Sequence, residues 1–278
     1  MPTDARTMLA PAAAHLDRTL ASRPALGAFS LAGFPDEKGG IDALTAYARE
    51  GANVLEVGAP ASNPYLDGPV IDAAHRHAVR RGHGMDSVLT TVQELTLATG
   101  KPVVVMAYWA SVLAYGPKHL AHALATVGGA GCLVPDVPLD RVGAWEGAAA
   151  DAGIHAPLLA GRQVPVAELT AICRAASGFI YAPAVAGHRT GYRDGLDMDG
   201  LSAFVASVRQ AAPTSPVVTG IGVSTPQRAA DVVRQADVSG VVIGSPLVRA
   251  LLSDGSGLSQ SADLVGKFAA AIAQQAER

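Results

Sequence analysis

LGAFSLAGFPDEKGG, residues 26 to 40, decides between two folds. Its first half is a short apolar run of strand type, and its second half is a turn leading into the amphipathic stretch DALTAYARE at 42 to 50. An open doubly wound sheet would want G-x-G-x-x-G after this first strand, where glycines let a pyrophosphate approach a helix N-terminus. LAGFPDEKGG lacks that spacing. The same alternation of run and helix then repeats along the chain, with strands expected at 26–32, 53–58, 102–107, 131–135, 156–160, 179–183, 216–219 and 240–243. Eight parallel strands, each followed by a helix, close into a barrel. The expected fold class is α/β, a single (β/α)8 TIM barrel domain over residues 1–278. Segments 4–22 and 70–83 read as extra helices outside the repeat, and SDGSGLSQ at 253–260 as a polar turn before the last helix.

Composition agrees with a large core. Of 278 residues, 49% are hydrophobic and only 16% charged, which excludes disorder. A net charge of -3 shows no basic excess, so neither nucleic acid nor an anionic membrane is expected as a partner. The start, MPTDARTMLAPAAAHLDR, fits neither a signal peptide nor a membrane span, and a cytoplasmic protein is expected. Cys132 and Cys173 lie inside apolar runs and read as small hydrophobes, with no disulfide or zinc framework.

In such barrels the loops after strands 7 and 8 often hold a phosphate. After strand 7 comes TGIGVSTPQ at 219–227, where Gly220 and Gly222 allow backbone amides close to an anion, and Thr225 and Pro226 read as N-cap and first residue of a helix. After strand 8 comes VIGSPLVRALL at 242–252, where Gly244, Ser245 and Pro246 would open a short helix with its donors toward the same place. Each motif alone is an ordinary βα turn. Together, at the two expected strands, they favour a phosphorylated small substrate.

Strand 2, NVLEVG, places Glu56 among apolar residues, and alternation puts it on one face with Val54 and Gly58. Facing the barrel interior, it would have the raised pKa of a general acid/base; facing outward, it would be a salt-bridged glutamate. Asp67, in SNPYLDGPV, reads as a turn residue or a site residue, and Asp136 at the end of strand 4 reads similarly. Tyr108 and Tyr181 end strands 3 and 6, where either faces a ligand or packs with its hydroxyl satisfied. The four lysines, Lys38, Lys101, Lys118 and Lys267, avoid C-terminal strand ends, which disfavours a Schiff-base aldolase. His75, His77, His83, His119 and His122 read as solvated helical histidines, so no metal site is expected, and only His188 sits in an expected active-site loop. What remains is proton-transfer chemistry on a phosphorylated substrate without a cofactor.

LEVGAPASNPYLDGPVI at 55–71 resembles the tryptophan synthase alpha subunit family, whose pattern there is close to LE(L/V)G-x-P-x-SDP-x-x-DGP. The likeness continues through AGFPD (32–36), VVVMAYW (103–109), AYG (114–116), VPDVP (134–138), GFIY (178–181), GIGVSTPQ (220–227) and VIGSPLV (242–248), nearly the whole chain in order. The resemblance implies a lyase that cleaves indole-3-glycerol phosphate to indole and glyceraldehyde 3-phosphate. Glu56 falls on the family's catalytic glutamate and Asp67 on the aspartate that meets the indole N–H. Tyr181 matches a pocket tyrosine, Tyr108 an active-site tyrosine, and Gly191, Gly222, Gly244 and Ser245 the phosphate-binding positions.

The departures bear on the partner. Asn63 stands where the family usually carries Asp, Ala110 and Ser111 where it carries Asn-Pro, and AVAGHRTG at 184–191 replaces its usual lid. The first two segments are where the family meets its beta subunit, so a weakened contact, or a free-standing lyase, is expected. The alternatives are a lyase for another phosphorylated substrate and a catalytically silent barrel that modulates a beta subunit.

Overall fold

The structure, a computed structural model, describes residues 10–22, 24–185, 189–190, 195–253 and 257–276. Eight parallel strands lie within it: β1 Ala25–Leu31, β2 Val54–Gly58, β3 Val103–Met106, β4 Gly131–Leu133, β5 Leu158–Leu159, β6 Ile180–Tyr181, β7 Val217–Thr219 and β8 Gly240–Ile243. Their order is β4-β3-β2-β1-β8-β7-β6-β5, and single bridges from Gly131 to His155 and from Val134 to Leu158 join the two ends. Closure of the barrel follows, with every strand at an expected place.

Closure removes both faces of each strand from water, which explains why the strands read as continuous apolar runs rather than as alternating ones. Val103, Val104 and Val105 are all buried. The helices described are α1 Pro11–Ser22, α2 Glu37–Arg49, α3 Pro69–Arg80, α4 Met85–Thr99, α5 Trp109–Tyr115, α6 Pro117–Thr126, α7 Val142–Ala152, α8 Val166–Ala175, α9 Met198–Ala211, α10 Pro226–Gln235, α11 Ser245–Leu251 and α12 Gly257–Ala276. Side chains cap several of them as their sequences demand. Asp36 accepts the Gly39 amide at the start of α2, and Thr225 accepts the Arg228 amide at the start of α10, with Pro226 in its first turn.

Helix α1 covers the N-terminal end of the barrel. Leu16 and Leu20 meet Ala25, Gly27 and Val54 there, and burial of these two leucines contributes roughly 3 to 6 kcal/mol. Helices α3 and α11 are the expected additions after β2 and β8. Helix α5 was not expected. It forms because Asp136, beyond β4, accepts the Trp109 amide at 2.7 Å and so satisfies a donor at the helix start, while Asp136 also takes the Tyr65 hydroxyl at 2.9 Å. Asp136 thus ties three loops together at the C-terminal end of the barrel. Both cysteines are buried and free.

Candidate active site

At the C-terminal end of the strands a cavity of about 780 Å³, open solvent included, is floored by Glu56, Phe29 and Met106 and roofed by the loops after β2, β6, β7 and β8. Its mostly apolar walls, interrupted by a few polar groups, suit one small ligand. Alternation along β2 decides the position of Glu56. Val54 points into the packed lower barrel, and Glu56, one layer higher and only 7% exposed, lies between that layer and the cavity. Burial, reinforced by the nearby charge of Asp67, pushes its carboxyl up to about 8. The outward, salt-bridged glutamate is therefore not what forms.

Asp67 stands on the cavity wall, equally buried, in the loop between β2 and α3. Three neutral donors hold it. Its Oδ2 accepts the Tyr108 hydroxyl at 2.8 Å and faces His75 Nε2 at 3.2 Å, while its Oδ1 accepts the Thr190 hydroxyl at 3.2 Å. Thr190 also accepts the Gly68 amide at 2.9 Å, and a Cβ at Gly68 would lie 1.9 Å from the Thr190 carbonyl oxygen. Only glycine permits that approach of the two loops.

The two strand-end tyrosines part company. Tyr181 lines the cavity, and its hydroxyl accepts the Ile221 amide at 3.1 Å. A Cβ at Gly220 would come within 2.2 Å of that hydroxyl, so glycine is needed beside it. Burial first, and the charge of Glu56 next, raise the Tyr181 phenol well above its ordinary value. Tyr108, expected as a substrate-binding residue, is not on the cavity wall. It stands behind Asp67, accepts the Leu66 amide at 3.2 Å, and touches the site through that carboxylate.

Gly222 and Ser224 after β7 and Gly244 and Ser245 after β8 all line the cavity. Gly222 has φ +101°, which a side chain rarely adopts, and a Cβ there would meet Val185 at 2.7 Å. Ser245 opens α11 with Pro246 behind it. Gly191 and His188 lie outside the described residues.

One histidine reading needs correction. His75 is not solvated: it is fully buried on α3, because it continues the apolar stripe of Ile71, Ala74 and Ala78. That stripe is visible in the sequence and could have marked it. Thr190 had no such signal, since it reaches Asp67 from 123 residues away.

The family model described as "Tryptophan synthase alpha chain" matches residues 17–277. The tryptophan synthase alpha chain of Streptomyces avermitilis is 40% identical over 90% of each chain, and that of Streptomyces coelicolor is 40% identical over 91% of this chain and 93% of its own. A structure of Mycobacterium tuberculosis tryptophan synthase superposes with a TM-score of 0.84 at 32% identity, covering 95% of this chain and 98% of that one.

Proposed function

The chain belongs to the tryptophan synthase alpha chain family, and from that premise we propose that its cavity cleaves indole-3-glycerol phosphate to indole and glyceraldehyde 3-phosphate by acid/base catalysis. The observation that carries the reading is the pair at the cavity: a buried Glu56, whose carboxyl burial pushes up to about 8, facing the same cavity as an Asp67 fixed by three donors.

The chemical obstacle is that an indole C3 carbanion is a poor leaving group. Glu56, whose carboxyl holds its proton at neutral pH, gives it to C3, and the ring becomes a cation with charge shared by its nitrogen. Asp67 receives the ring N–H and stabilises that cation. The Glu56 carboxylate then removes the glycerol hydroxyl proton, the O–H pair forms the aldehyde carbonyl, and the C–C pair returns to the ring. Proton count closes on Glu56. Tyr181 supports the reacting end from the cavity wall. The amides near Gly222, Gly244 and Ser245 receive the phosphate, with Gly191 as a fourth position. General acid/base catalysis is worth about 10² to 10⁴ in rate.

Asn63, in the loop after β2, and Ala110, in α5, are exposed, Ser111 beside Ala110 is half-buried, and none of the three lines the cavity, so they leave it intact while altering the face offered to a beta subunit. The proposed partner contact is correspondingly weakened. Glu56 and Asp67 in place speak against a silent barrel. No described helix is long and apolar enough to cross a membrane, and chemistry on a small phosphorylated metabolite fits a cytoplasmic location. The reading treats residues 1–278 as one barrel domain, supported by the family match over 17–277. The test is indole release from indole-3-glycerol phosphate by the purified chain alone. No release at any pH from 6 to 9 overturns the proposal.

A further inference from the structure

We propose that His75 is a positioning residue for catalysis, a strut that spans the β2–α3 loop and fixes the orientation of the Asp67 carboxylate. The inference rests on the reading of Asp67 as the group that receives the indole N–H.

His75 has no exposed surface and bonds at both ring nitrogens. The Ala61 amide donates to Nδ1 at 3.0 Å, so that nitrogen carries the lone pair. The proton therefore sits on Nε2, which faces Asp67 Oδ2 at 3.2 Å. Ala61 lies near the start of the loop and Asp67 near its end, so one imidazole ring braces both parts.

The brace also divides the lone pairs of Asp67. His75 and Tyr108 both bond Oδ2, and the two rings pack edge to face with centroids 6.2 Å apart. Oδ1 receives only the Thr190 hydroxyl among the described residues. An ionised carboxylate oxygen accepts about two hydrogen bonds, so Oδ1 keeps a place for a further donor and Oδ2 does not. Asp67 lines the cavity, so that place is the one a ring N–H bound there would take. Without the Nε2 donor the carboxylate is held by Tyr108 and Thr190 alone, χ2, a broad torsion, is less confined, and the direction of the vacant lone pair is less sharply set.

A buried histidine could also serve stability alone, through Ala61. Two substitutions separate the roles. His75→Asn matches the imidazole only as far as Nδ1, so it keeps the Ala61 bond and loses Asp67. His75→Gln reaches the Nε2 position and keeps the Asp67 donor. Steady-state indole release should show kcat down about tenfold or more in His75→Asn, KM nearly unchanged, and kcat within about threefold of wild type in His75→Gln. In an Asp67→Asn background, His75→Asn should cost less than about threefold more, because the group it orients is already gone.

Wild-type protein without turnover overturns the functional reading and this inference with it. Active wild type with full kcat in His75→Asn, or with losses that multiply in the double variant, overturns the inference and leaves the reading intact. Should His75→Asn not fold, His75→Gln decides alone: near wild-type kcat supports the strut, and a tenfold loss at an unchanged thermal midpoint overturns it.

Discussion

Thr190 donates its hydroxyl to Asp67 Oδ1 at 3.2 Å and accepts the Gly68 amide at 2.9 Å, so a single side chain fastens the loop after β6 to the loop after β2 across the mouth of the barrel. Thr190→Val keeps the shape and removes both bonds. A hydrogen bond to a charged acceptor contributes about 1.5 to 3 kcal/mol, so kcat should fall about tenfold or more while the thermal midpoint stays within a few degrees. Rapid-quench turnover and thermal denaturation check this together. An unchanged kcat would show that the fastening has no part in turnover.

Glu56 makes activity and stability depend on pH in a defined direction. Its carboxyl is protonated below about 8, so kcat/KM should decline as pH rises through that value and the donor is lost. The folded protein also binds a proton that the unfolded chain, with an ordinary carboxyl near 4.5, releases earlier. Stability associated with this group is therefore full below pH 4.5 and is lost between 4.5 and about 8. Glu56→Gln removes the buried charge, and should raise the thermal midpoint above wild type at pH 9 while leaving the two close at pH 5. The same variant should lose at least about 100-fold in kcat with substrate binding nearly retained. Circular dichroism melts at the two pH values, alongside turnover, test both halves.

The anion end of the cavity predicts a selective ligand effect. Glycerol phosphate at about 100 times its Kd should stabilise the protein by about 2.7 kcal/mol, and glycerol at the same concentration should not. Gly222 is a poor place to test this, because its φ of +101° makes any side chain strained. Ser245→Asp puts a negative charge in the first turn of α11 without that strain, and should abolish the difference. Equal protection by both ligands, read in thermal shift, would remove the phosphate assignment.

A beta subunit should activate this chain weakly. Activation requires that the partner bind the closed state more tightly than the open one, and the neutral Asn63 cannot supply an ion pair across the interface. Ala110 and Ser111 remove a fixed turn and an amide donor from the neighbouring contact. Saturating beta subunit should change kcat of indole release by less than about tenfold, a coupling under roughly 1.4 kcal/mol. Asn63→Asp with Ala110→Asn and Ser111→Pro should increase it. Strong activation of the unmodified chain would mark these three as tolerated variants.

Local chemistry determined a good deal by itself. Strand and helix order follow from apolar runs and periodicity. The start of α10 follows from Thr225 and Pro226, and the common face of Val54 and Glu56 from the two-residue repeat of a strand, while which way that face points was left to the tertiary structure. Each of these depends on neighbours within a few positions. Tertiary structure alone decided how the strand-end side chains were used. Tyr181 is the last residue of β6 and faces the cavity, whereas Tyr108 lies two residues beyond β3, at the start of α5, and backs Asp67. The burial of His75 is written in the period of α3, but its partners are not: Asp67 and Ala61 come to it only when the β2–α3 loop folds back over the helix. Thr190 reaches Asp67 only after all eight strands have closed and brought the loop after β6 to the loop after β2. The raised pKa of Glu56 has the same origin, since a side chain is desolvated by what surrounds it, and for a barrel interior that means residues drawn from every part of the chain.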